Sequence, residues 1–217
     1  MKKLTFILFM SAFILQASAQ EGHKLNTNID FSFGPHYFSG EKNNPLAAGL
    51  SVGYEYDFIF FFGIEAGFRF GGFNQKVKYY DPNVNIGETN LAVQDSKDIY
   101  RGTYWAPYIA PKIYLPISYD DQKDRARFIY LENRFSYTRT SLDLDKITDM
   151  QGSTHKYRLQ YELRLGYQHP LNDRWALNCW VGYNSFDFSK VKPEDIKFKN
   201  STPLQIGIGF NYILKNK

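Results

Sequence analysis

Residues 157–168 read Tyr157-Arg158-Leu159-Gln160-Tyr161-Glu162-Leu163-Arg164-Leu165-Gly166-Tyr167-Gln168, with every odd position apolar or aromatic and every even one polar, charged or glycine. Successive side chains of a strand point to opposite faces, so a period of two held this long marks a strand with two unlike faces. The pattern recurs in both directions. Towards the C-terminus Leu204, Ile206, Ile208, Phe210 and Tyr212 alternate with Gln205, Gly207, Gly209 and Asn211. Towards the N-terminus Phe62, Ile64, Ala66, Phe68 and Phe70 oppose Gly63, Glu65, Gly67, Arg69 and Gly71. Before them Leu46, Ala48, Leu50, Val52, Tyr54 and Tyr56 oppose Ala47, Gly49, Ser51, Gly53 and Glu55, and Ile29, Phe31 and Phe33 alternate with Asp30, Ser32 and Gly34.

Three rougher segments, 104–115, 128–137 and 175–186, bring the total to eight expected strands. In the first, Pro107 and Pro111 weaken a central-strand reading, because proline has no N–H for the ladder. In the second, Asn133 intrudes on the apolar face. The connections alternate in length: short near 57–60 and 170–173, intermediate over 116–127, long over 74–100, 139–156 and 187–201, with a shorter one near 38–45. Val77 and Tyr79 suggest a hairpin within 74–100.

The chain has 217 residues, 43% hydrophobic and 22% charged, too apolar for disorder, and its 18% aromatic content with 16 glycines points to β-structure. A mean hydropathy of -0.44 argues against a bundle of membrane helices. Lys2 and Lys3, an apolar run from Leu4 to Leu15 and Ala17-Ser18-Ala19 form a secretory leader over 1–19, leaving 20–217 as one domain. The single Cys179 excludes an internal disulfide and lies far from the cleavage site, so no lipid anchor is expected there. Without the two leader lysines, 24 basic residues face 22 acidic ones, a balance that gives no reason to expect a nucleic-acid partner.

Alternation alone does not say whether lipid or water lies outside, and the polar face decides. Ten strand glycines, among them Gly49, Gly53, Gly67, Gly166, Gly207 and Gly209, share the parity of the polar side chains. A water-facing surface has no use for them, whereas the lumen of an eight-stranded barrel is barely wide enough for its own side chains. The clean apolar faces carry no Lys or Arg, each of which would cost about 2–4 kcal/mol at mid-depth in lipid. The polar face carries Asp30, Glu55, Glu65, Glu132 and Glu162 against Arg69, Lys112, Arg134, Arg158 and Arg164, five of each sign, able to pair inside. Glu55, Glu65, Arg69, Glu132, Arg134, Arg158, Glu162 and Arg164 are therefore the candidate site, a lumen charge network with a structural or gating role. Aromatics near strand ends, including Tyr54, Tyr56, Phe58, Tyr137, Tyr167, Trp175, Tyr183 and Tyr212, suit interfacial girdles.

With this pattern the mature chain resembles the small outer-membrane β-barrel family of Gram-negative bacteria, in the size class of the OmpA and OmpX barrels, and in its glycine-and-tyrosine-rich style the porin-like barrels of Bacteroidetes-type bacteria. The resemblance implies an all-β, eight-stranded antiparallel up-and-down transmembrane barrel in the outer membrane. Its partners would be outer-membrane lipid, lipopolysaccharide and the barrel-insertion machinery, and a monomer is expected. Gly209-Phe210-Asn211-Tyr212 looks like the family's aromatic insertion signal, although the chain continues to Lys217.

No catalytic, cofactor or metal residues are expected. Ser32 and His36 lie about 13 Å apart along one strand, too far for a nucleophile and its base. His23 is placed in the N-terminal tail, His155 in a loop and His169 at a turn. The acids Asp143, Asp145, Asp149 and Asp81, Glu88, Asp95, Asp98 lack calcium-loop spacing. Lys190, Lys192, Lys197 and Lys199 could touch anionic headgroups. The leading functional expectation is a barrel with a largely plugged lumen and a structural or interaction role through its extracellular loops. A narrow porin-like channel for small solutes and a lipid A-modifying barrel enzyme are the alternatives.

Overall fold

The computed structural model describes residues 22–34, 46–59, 61–79, 96–120, 125–143, 153–185 and 203–214. The expected leader lies outside the described residues, as do His36 and the four lysines of 187–201. Eight strands follow in chain order: β1 Gly22–Phe33, β2 Leu46–Ile59, β3 Phe62–Tyr79, β4 Ser96–Asp120, β5 Arg125–Asp143, β6 Ser153–Pro170, β7 Trp175–Asn184 and β8 Leu204–Leu214. Each pairs antiparallel with its neighbours in sequence, and β8 closes on β1 through Asp30↔Gly207, giving a closed up-and-down barrel. Closure removes the unpaired edges that hydrocarbon would not tolerate.

Side-chain parity fixes which face is the core. On β1 Lys24, Asn26, Asn28, Asp30 and Ser32 are buried, while Leu25, Ile29 and Phe31 are exposed. The same holds around the wall: Val181 is 57% and Leu165 53% exposed, whereas Glu55, Glu65, Arg134 and Glu162 are at 0%. A protein with this distribution is inverted relative to a water-soluble one, and its apolar rows require lipid.

The lumen closes because large inward side chains stand beside glycines. Tyr104 faces Gly71 across the β3–β4 ladder, Tyr130 faces Gly166 across β5–β6, and Trp180 faces Gly207 across β7–β8. A methyl group at Gly71 would lie 2.6 Å from the Tyr104 hydroxyl oxygen, and one at Gly207 would lie 2.7 Å from Trp180 Nε1. At Gly166 it would strike the Tyr130 ring. These three glycines are thus slots for rings from adjoining strands, more specific than the general need for small residues in a narrow lumen.

Three expectations change. Pro107 and Pro111 sit inside an unbroken 25-residue β4 that is paired on both sides. The β3 side of that ladder is continuous, while on the β5 side the pairing lapses at 106–107 and 110–111, so the missing N–H groups cost bonds on one side only. Residues 74–79 and 96–100, read as loop with a possible hairpin, do form one, ending at Tyr79↔Ser96. His23 belongs to β1 and packs against the rings of Tyr54 and Tyr56. Strands β3 to β6 run to 18, 25, 19 and 18 residues, against 10 to 14 in the others, so these four continue as a sheet beyond the roughly ten residues that cross hydrocarbon.

The two faces of β6 give a direct comparison. Gly166→Val should displace Tyr130 and lower the unfolding free energy in lipid vesicles by about 1–3 kcal/mol, the cost of overpacking. Leu165→Arg, one residue away on the outer wall, should cost about 2–4 kcal/mol through the membrane, and Leu165→Val should cost little. Equal, small losses for Gly166→Val and Leu165→Val in urea titrations would contradict the assignment of faces.

Candidate functional site

The charged side chains of the lumen come from β1 to β6, and register explains why they meet. Lys24 pairs with Glu55, and Glu55 with Glu65, around one level of the wall. Two adjacent carboxylates on neighbouring strands would repel, and the cations answer them: Lys112 from β4 donates to Glu55 at 2.7 Å and also binds Glu65, while Lys24 donates to Glu55 at 3.1 Å. Asn26 completes the coordination, its Nδ2 donating to Glu55 at 2.7 Å and to Glu65 at 2.5 Å. The hydroxyls of Tyr114 and Tyr108 donate to Glu55 and Glu65 respectively.

Higher in the lumen the cations are guanidinium groups. Arg69 on β3 holds Asp30 of β1 and donates to Glu162 of β6 at 2.6 Å, crossing the barrel. Arg164 pairs with Glu162 and approaches Glu132 at 3.4 Å. Arg134 donates through Nε to Glu132 at 2.8 Å and reaches Glu65 at 3.6 Å. Lys24 ends the chain of contacts on Asp57 at 2.7 Å. Asp30, Arg69, Glu162, Arg164, Glu132, Arg134, Glu65, Lys112, Glu55, Lys24 and Asp57 thus form one unbroken set of ion pairs. Rings cover the flat faces of the guanidinium groups: Arg134 lies 3.8 Å from the Tyr108 centroid and Arg164 3.8 Å from that of Trp180. Such stacking shields cationic faces that carboxylates do not reach.

Of the eight residues expected in the lumen network, Glu55, Glu65, Arg69, Glu132, Arg134, Glu162 and Arg164 meet in this set. Arg158 does not. Its position has the inward parity, but it is exposed and lies on the part of β6 above Glu162↔Asn184, where the β6–β7 pairing ends. Lys24 and Asp57 take part in the network and had no sequence assignment to it. Continuing the alternation two residues past Glu55 would have found Asp57, and carrying it back from Asp30 through Asn28 and Asn26 would have found Lys24. The lumen set then holds six carboxylates and five cations among the described residues.

Nothing in this arrangement is a nucleophile with its base. Ser32 is buried and accepts from Gln205 at 3.0 Å. His23 contacts the Tyr54 hydroxyl and His169 that of Tyr167, at the outer wall near the short links. Among the described residues no cluster of His, Cys, Asp and Glu could hold a metal ion.

The network sets a sharp expectation for stability. Arg69→Met strands Asp30 and leaves Glu162 paired with Arg164 alone, and should cost about 3–5 kcal/mol, the penalty for breaking a buried pair from one side. Adding Asp30→Asn should recover part of the loss, while Arg158→Ala should leave the unfolding midpoint unchanged. Urea titration of vesicle-inserted protein measures all three, and an unaffected Arg69→Met would refute the network as a stabilising unit.

The comparisons with known proteins agree with this architecture. The family described as the outer membrane protein beta-barrel domain matches residues 5–213. No curated protein matches the chain. Among solved structures, Neisserial surface protein A is similar at 11% identity, covering 88% of this chain and 96% of that one with a TM-score of 0.50. Ail, the attachment invasion locus protein of Yersinia pestis, is similar at 12% identity over 90% of this chain and 100% of its own, with a TM-score of 0.45. With its family matched over nearly the whole length and its barrel closed at eight strands, the chain belongs to the outer-membrane protein β-barrel family and is a protein of the bacterial outer membrane.

Proposed function

We propose that this barrel is a non-conducting, non-enzymatic scaffold whose lumen is plugged by its own ion pairs and whose contacts with the surroundings are made by the loops at the end opposite the short links. One observation carries the reading: the guanidinium of Arg69 on β3 spans to Glu162 on β6 at 2.6 Å, with both side chains at 2% exposure or less. An open pore keeps its charges in water on the wall, where pairing across the axis has little to gain. Here the charges have left water and are held by one another, which requires the axis to be occupied by side chains. Outer-membrane lipid and lipopolysaccharide surround the wall in this reading, and the charge network holds the barrel together; it is not a gate.

In planar bilayers the purified protein should give no discrete conductance at 100 mV. Steps in the wild type that change on neutralising Glu162 or Arg164 would establish the channel reading in its place. Lipid A from cells with and without the protein should give the same mass spectrum, and a new acyl or phosphate pattern would refute the non-enzymatic reading.

A further inference from the structure

The outward row of β5 runs Ile129, Leu131, Asn133, Phe135, Tyr137, and its middle member is a carboxamide. Depth in the membrane follows from this position, with two apolar or aromatic residues on either side. The Tyr161 hydroxyl on β6 donates to Asn133 Oδ1 at 2.8 Å, which satisfies one lone pair of that oxygen. Asn133 Nδ2 has no hydrogen-bond partner among the described residues.

The backbone adds a second unmet group at the same place. Ile109↔Phe135 and Ile113↔Leu131 set Pro111 opposite Asn133, and the pairing between them is missing. The β3 side of β4 is unbroken at Pro111, so the absent N–H is one that would have pointed to β5. The Asn133 carbonyl has therefore lost its ladder donor. The carbonyl lies in the plane of the sheet against the Pro111 ring, while the side-chain N–H₂ faces hydrocarbon and has no water to turn to, a cost that is met where protein covers it.

We propose that the β4–β6 wall around Asn133 is a contact between two copies of this chain, related by a two-fold axis close to that residue. The amide is self-complementary: each copy offers an unmet N–H₂ and an Oδ1 with a lone pair left after Tyr161. Reciprocal bonds across a two-fold axis satisfy both sides at once, the relation of an isologous interface. Ile109, Pro111, Leu131, Phe135 and Leu163 surround the amide with apolar surface that packs without further polar groups. This departs from the monomer expected from sequence, and it does not depend on whether the lumen conducts.

The test uses the full barrel in phosphatidylcholine vesicles, in a Cys179→Ser background. Phe135→Cys, next to the proposed axis, should cross-link to its copy under mild oxidation, and Ile29→Cys on the opposite wall should not. Asn133→Leu should weaken association measured by energy transfer between labelled copies by about tenfold or more, the scale of an interchain hydrogen bond in a membrane, while keeping the heat-modifiable mobility of the folded barrel. Equal cross-linking from both positions, unchanged association of Asn133→Leu, or a monomer at every protein-to-lipid ratio would each overturn the proposal. Should Asn133→Leu fail to fold, the two cysteine variants still decide, because both keep Asn133.

Discussion

The cost of an unpartnered polar group away from water governs this structure at three scales. For the backbone it demands a closed ladder, met by β1 pairing with β8. For the ionised side chains it demands partners, met by carboxylates and cations drawn from six strands into one set. For the amide of Asn133 in the outward row of β5 it is met only in part, by Tyr161. Hydrophobic burial, which usually organises a fold, acts here between wall and lipid and does not select among registers that keep the same parity.

Register is selected inside the lumen. A slip of one residue would turn every row to the wrong face. A slip of two keeps parity, but between β3 and β4 it sets Tyr104 against Arg69 or Phe73, neither of which leaves a slot for the ring that Gly71 receives, and between β7 and β8 one of the two directions sets Trp180 against Gln205. The ion pairs add a second lock. Glu132 pairs across β5–β6 with Arg164, and Arg134 with Glu162, so opposite charges face one another in both steps of that ladder. Shifting β6 by two would place Arg164 beside Arg134 or Glu162 beside Glu132. Steric slots and charge order thus specify one closed arrangement where the outer wall is permissive.

Strand number, the inward polar face and the glycine logic were all legible because each rests on local alternation. Seven of the eight expected network residues meet for the same reason: parity is a property of a single strand. What parity lacks is height. Arg158 has the right parity and the wrong level, above the end of the β6–β7 pairing, and only the register between strands shows this. Lys24 and Asp57 were missed from the opposite error, because the alternation was stopped at the first polar cluster, although a barrel strand can end in polar residues on both faces near the interface. Pro107 and Pro111 misled because the cost of proline depends on which neighbour its nitrogen would face, a fact absent from one strand's sequence.

The distribution of charge around the wall also bears on what the barrel can carry. Strands β7 and β8 place only Ala176, Asn178, Trp180, Gly182, Asn184 and Gln205, Gly207, Gly209, Asn211 inward, with no ionised group. The charges lie on β1 to β6, and β3 to β6 are the strands that continue past the others. A sheet standing beyond the membrane acts as a lever on its base, and a network of short, mutually polarised ion pairs is stiff against such bending. On the plugged-scaffold reading, placing that network beneath the tall side stiffens the base of the extended β3–β6 sheet, so the ion pairs and the unequal strands serve one mechanical purpose.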